Sequence, residues 1–279
     1  MRALAEWVMR GRRYAIGASM VGASIPLLNW LSTAIVSLVV LRKGAVEGLI
    51  VLLWAVLPLG IAVYFVGDPM PVIALVGTAI MAYILRVTLS WELAIAVAVI
   101  ASAIGSLVFE YTAADLLVML VEFYVEFSKQ NSIEVSSEAA RTAIVGIYAM
   151  GQACGMCALL VLARWWQSQL YNPGGFQKEF HQIRMTPWFS TGIVVVMMVS
   201  VIFDDQLGRW LPLLTVPLVF SGIALVHWTF GFRKMSVNWV IAFYLLLILL
   251  SNLIYPILAA LALMDSYLDL RQRIQTKKV

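Results

Sequence analysis

Charge is scarce in this sequence. Only 12% of its 279 residues are Asp, Glu, Lys or Arg, about half of what a soluble domain carries. Histidine occurs twice and cysteine twice, so neither a disulfide framework nor a site built from repeated Cys or His pairs is available. Cys154 and Cys157 form a single C-x-x-C within an apolar run flanked by Ala, Gly and Met. That setting reads as close helix packing rather than redox or metal chemistry. No G-x-x-x-x-G-K-[ST], H-E-x-x-H or G-x-S-x-G pattern occurs, which excludes a phosphate loop, a zincin-type metal site and a nucleophile elbow. No catalytic residue, metal or cofactor is expected. The net charge of +4 is not a nucleic-acid signal, because the basic residues lie in short loops between apolar runs. In a membrane protein such residues set orientation.

What the sequence has instead is hydrophobic length. Sixty-two per cent is apolar, and apolar runs recur from Tyr14 to Met264 without leaving room for a soluble domain. A helix needs about 20 apolar residues to span the hydrocarbon core. Segments 44–66, 70–86, 90–110, 142–164, 188–204 and 209–231 meet that need and are broken by turn or charged residues such as Gly67-Asp68-Pro69. The expected fold class is all-α, a polytopic transmembrane helical bundle of about 8–10 membrane segments in one domain, 1–279. Arg10, Arg12 and Arg13 before the first run resemble a signal peptide, but the continuing spans favour an uncleaved first helix.

Two regions are ambiguous. Residues 14–41 and 237–266 are too long for one upright span and short for two, with Pro26 and Asn29 in the first and Ser251, Asn252 and Pro256 in the second. Charge decides. With both regions as hairpins and the N-terminus inside, 16 of the 19 basic residues fall inside, leaving Lys129, Arg141 and Arg209 outside. A single span in the first region alone lowers the inside total to 7, and in the last region alone to 12. The positive-inside rule favours two hairpins. This places a basic N-terminus (1–13), a loop (165–187) and a basic tail (267–279) in the cytoplasm of a bacterial inner membrane, and an acidic amphipathic segment (111–141) outside. Residues 15–28 as a helix rise only about 21 Å, too little to cross. Broken helices of this kind mark binding sites in transporters; a thin hairpin packed on its neighbours is the plainer alternative.

Small residues recur at helical spacing. Ala15, Ser19 and Ala23, with Ala18 and Gly22 beside them, form a helix-docking strip for close approach. Ala94, Ala98, Ala101 and Gly105 form a second strip, and Gly151 and Gly155 a third; both read as internal packing. Outside, Asp115, Glu122, Glu126 and Lys129 share one helical face while Leu116, Leu120, Phe123 and Phe127 share another. This is an interfacial helix, either a solvated face or an acidic lid over an outward cavity. Asn29, Gln152, Glu122 and Glu126 are the candidate cavity residues; Gln152 and Asn252 are the clearest mid-span polar groups.

The inner loop is the least generic stretch. Trp165 and Trp166 suit an interfacial belt. Pro173, Gly174 and Gly175 make a tight turn. Phe176, Phe180 and Ile183 then recur at helical spacing opposite Lys178, Glu179 and Gln182, which predicts a short helix held on the membrane or on a partner. Glu179, His181 and Arg184 complete the candidate surface. No second His or carboxylate cluster accompanies them, so docking is favoured over chemistry.

The order of elements resembles the YybS-like family of bacterial membrane proteins. The resemblance rests on Ile25-Pro26-Leu27-Leu28, on Leu41-Arg42-Lys43-Gly44, on the Tyr171-Asn-Pro-Gly-Gly-Phe-Gln-Lys-Glu-Phe-His181 loop of its proteobacterial branch, and on Ala262-Leu-Met-Asp265 with Asp269-Leu-Arg271. It covers essentially the whole chain. That family is similar in turn to the S components of energy-coupling-factor transporters, which use an Ala-x-x-x-Ala first helix to dock a partner subunit. The resemblance implies an S-component-like core, a docking role for Ala15, Ser19 and Ala23, and a substrate-binding or transport subunit. S components usually have six helices; this chain has more. The alternative is a membrane scaffold recruiting a cytoplasmic protein through 165–187. A membrane-embedded enzyme has least support. The expected partners are the lipid bilayer and either a membrane subunit or a cytoplasmic protein, with no nucleic acid and a ligand that the residues do not name.

Overall fold

The computed structural model describes residues 2–276, with the backbone alone at Asp205 and Gln206; Lys277 and Lys278, part of the basic tail, lie outside the described residues. The helices are α1 (Arg2–Met9), α2 (Arg12–Ser24), α3 (Asn29–Lys43), α4 (Ala45–Val66), α5 (Met70–Thr88), α6 (Trp91–Thr112), α7 (Ala114–Gln130), α8 (Ser137–Tyr171), α9 (Gly175–Phe180), α10 (Pro187–Ile202), α11 (Asp204–Leu207), α12 (Leu211–Phe232), α13 (Val237–Leu249), α14 (Ser251–Leu268) and α15 (Leu270–Thr276). Short 3₁₀ turns at Pro26–Leu28 and Gly208–Trp210 complete the order, and no strand occurs among the described residues. The protein is an all-α polytopic bundle, and six of its helices are long and apolar enough to cross a membrane. The apolar helices α10 and α13 are shorter, and α2 and α3 add a hairpin. Large apolar side chains along α4, such as Leu57, Ile61 and Phe65, are exposed, as expected of a surface that faces lipid.

Long-range polar contacts sort the chain into two ends. At one, the lower end, Arg86 Nη1 donates to the Leu41 carbonyl at 2.6 Å, Trp91 Nε1 to Glu179 at 2.8 Å and Thr186 N to Glu92 at 2.6 Å. At the upper end the Tyr148 hydroxyl donates to Asp68 at 2.8 Å, and Glu110 takes Arg209 at 2.7 Å. The helices therefore alternate in direction. Both ambiguous regions are reversals. The first turns at Ile25–Leu28, where Pro26 opens the 3₁₀ turn. In the second, Tyr244 meets His227 while Asp265 meets Arg271, which reaches His181. The start of α13 and the end of α14 thus share the lower end. Its break falls at Leu250, ahead of Pro256, which stays inside α14.

The centre of the molecule is α3. Ten consecutive residues, Ser32 to Leu41, are buried, since α2, α4, α5 and α8 surround it on every side. Fifteen residues rise about 22 Å, short of a span, so this helix is held by protein rather than by lipid. Its C-terminal carbonyls need partners. Arg86 and Gln167 Nε2 both donate to Leu41 O, and Gly44 at φ 99° leads into α4.

Several expectations change here. The Ala15, Ser19, Ala23 strip is buried at 1%, 0% and 4% exposure against this chain's own α3 and α4. A Cβ on Gly22 would lie 3.1 Å from Ser32 N; Ala18 is half-buried. The strip docks, but internally, because α2 is too short to hold its place in lipid by spanning. The Gly151 and Gly155 strip does the reverse: both face outward with nothing within 4 Å. Trp165 and Trp166 lie inside α8 rather than in a loop, and Trp166 is fully buried, because α8 runs 35 residues, about 52 Å, past the point where hydropathy fades.

Candidate functional site

The upper end holds a cavity of about 730 Å³ between α7 and the start of α8. Its charged wall consists of Glu110, Glu122, Glu138, Arg141 and Arg209, and its apolar wall includes Leu117 and Val121. Glu110 closes α6, and its side chain is only 14% exposed. It takes Arg209 at 2.7 Å and Arg141 at 3.3 Å. Ser136 caps α8 by accepting from Ala139 N, which sets Arg141 at the cavity mouth. On the far side Gly146 lets the 208–210 turn approach: a Cβ there would lie 2.6 Å from the Arg209 carbonyl. α7 covers this space with Leu117 buried, while Phe123 and Phe127 are exposed and stack on each other at 6.4 Å. The volume lies in the range of small-molecule sites. Two guanidinium groups and three carboxylates suit a ligand with both charge signs.

Of the four candidate cavity residues, only Glu122 lines this space. Glu126 is exposed. Gln152 is 3% exposed and sits near the upper end rather than mid-span: its Nε2 donates to the Met70 carbonyl at 3.4 Å. Gly105 leaves room for it, since a Cβ there would lie 2.7 Å from Oε1. Asn29 is half-buried with an unpaired Oδ1 in the α2–α3 turn. These polar groups pack between helices. Asn252 is exposed. Sequence reasoning missed Arg141 and Arg209 as site residues. The available signal was that they are two of only three basic residues on that side, facing an acid-rich segment.

The lower loop is built differently from its expectation. Gly174 sits at φ 80° and opens α9, as a tight turn requires. Phe180 and Ile183 are 9% and 4% exposed. They pack into the bundle and not onto a membrane or partner: Phe180 meets Phe220 and His227, and Phe176 meets Trp91. Glu179 takes Arg164 through both oxygens and the Trp91 indole. Arg184 pairs with Asp269 at 2.5 Å. His181 packs on Gly231, where a Cβ would lie 2.6 Å from its ring. Burial and the nearby Arg271 charge hold the His181 pKa below its ordinary value. Pro173 is exposed. Among the described residues no group of three His, Cys, Asp or Glu is placed to hold a metal ion. No family model, curated protein or solved structure matches the chain.

Proposed function

We propose that this chain is a non-enzymatic membrane protein that binds, and with partner subunits moves, a small polar molecule carrying both charge signs. The observation behind this reading is the upper cavity, in which the half-sequestered Glu110 is shared between Arg141 and Arg209 beneath the amphipathic α7. A ligand carboxylate exchanges for Glu110 at the arginines, and a ligand cation meets Glu122 or Glu138. The resemblance to the YybS-like family and to S components points to the same class. The basic residues Arg10, Arg12, Arg13, Arg42 and Lys43 gather at the lower end, which supports a cytoplasmic lower end and an external cavity in a bacterial inner membrane. The scaffold reading has less support, since burial of Phe180 and Ile183 removes the apolar anchor from the loop.

Purified protein in nanodiscs, melted against a panel of amino acids and other small zwitterions, tests the proposal. At least one compound should stabilise the wild type and lose its effect in Arg209→Gln and in Glu122→Gln. The second variant alters an exposed wall residue and avoids the Glu110 ion pairs. A panel that stabilises nothing, or that stabilises both variants as well as the wild type, overturns the reading.

A further inference from the structure

A second cavity lies at the opposite end, independent of the proposed ligand site. It is an open cleft of about 480 Å³ between residues 178–184, the end of α12 and α15. Lys178, Arg184 and Arg271 supply its cations, Asp269 a carboxylate, Gln182, Gln272 and Gln275 its amides, and His181 and Trp228 its rings. Arg184 is balanced by Asp269 at 2.5 Å and Arg271 by Asp265 at 3.2 Å. Lys178 is exposed and has no ion pair among the described residues. The cavity therefore presents one surplus positive charge beside three amides, which are donors of the kind that hold phosphate oxygens.

Trp188 and Trp239, in the first turns of α10 and α13, are 87% and 55% exposed at the same end. Exposed indoles at the ends of apolar membrane helices favour the headgroup level. Basic pockets between membrane helices at that level take anionic headgroups.

We propose that the 178–184/α15 cavity binds a phosphate group at the membrane surface, either the singly charged phosphodiester of an anionic lipid or a free phosphate. Lys178 supplies the uncompensated charge, and Gln182, Gln272 and Gln275 donate to the oxygens. Arg184 and Arg271 shape the site while keeping their own acidic partners.

The test uses the delipidated full-length protein in detergent. It is titrated with dioleoylphosphatidylglycerol, with dioleoylphosphatidylcholine and with inorganic phosphate, and read by native mass spectrometry and melting. The anionic lipid should bind saturably and more tightly than the zwitterionic one. Lys178→Glu should weaken it about fivefold or more, while Arg233→Glu, at the same end but outside the cavity, stays within about twofold. Displacement of the lipid by inorganic phosphate identifies a free-anion site; lipid binding that resists it identifies a headgroup site. Equal binding of the two lipids, equal loss in the two variants, or no binding of either anion overturns the proposal.

Discussion

Arg271 Nη1 donates to the main-chain carbonyl of His181 at 2.5 Å. Its Nη2 reaches Ile183 O at 2.6 Å, and its Nε lies 3.2 Å from Asp265, which is fully buried. One side chain from the last helix thus ties the loop after α9 to the end of α14. Removing one partner of a buried pair strands the other. Arg271→Met should cost about 3 kcal/mol or more, seen as a lower melting temperature in detergent. It should also make the chain more sensitive to protease at Lys178. The double variant Arg271→Met, Asp265→Asn should recover part of the loss; no recovery would show that the carbonyl bonds, not the ion pair, dominate.

His181 gives the fold a pH dependence of defined sign. Its folded pKa lies below the ordinary 6.5, through burial first and the Arg271 charge second; His227 is the other nearby titratable group. The folded state therefore binds fewer protons than the unfolded one near that pH. The stability contributed is complete above about 6.5 and is lost as pH falls through the folded value. Melting curves between pH 7.5 and 5 should show this loss, and His181→Gln should flatten it. An unchanged slope in His181→Gln would assign the effect elsewhere.

Glycines separate inner from outer faces. A Cβ on Gly222 would collide with the Leu258 carbonyl where α12 meets α14, whereas Gly151 meets nothing within 4 Å. Gly222→Ala should destabilise by roughly 1–3 kcal/mol. Gly151→Ala should leave melting unchanged or raise it slightly, since alanine is the better helix former. Equal effects would contradict this packing.

Ser19 is fully buried on the face of α2 that meets α3 and α4. Ser19→Leu must push α2 away from the core and should lower the stability of the isolated protein by about 1–3 kcal/mol. A variant that melts normally but loses a co-purifying subunit would instead put the strip on a partner.

The bundle places Ser132 and Gln275 at opposite ends, both exposed. A membrane-impermeant maleimide should label Ser132→Cys in intact cells and Gln275→Cys only after permeabilisation, against the unmutated chain as background. The reverse pattern would invert the proposed orientation, and labelling of both in intact cells would break the two-ended topology.

Composition and charge determined a good deal by themselves. Hydropathy is a local property, so the all-α class and most of the long helices were legible within a few residues, whereas α8 runs on to Tyr171 beyond its apolar stretch. The positive-inside count also chose hairpins at both ends, because orientation depends on loop charge rather than on packing. Helix faces were not legible. Lipid tails and a protein interior are equally apolar, so Ala15, Ser19 and Ala23 cannot be told from Gly151 and Gly155 by residue type. Only the assembled bundle decides that α3 lies at the centre, covering the first strip and leaving the second bare. The same holds for Phe180 and Ile183, whose spacing announces an apolar face without saying what it meets. It holds most for Glu110 and Arg209, 99 positions apart: side-chain identity supplies the charges, and the approach of α6 to the turn before α12 makes them one site.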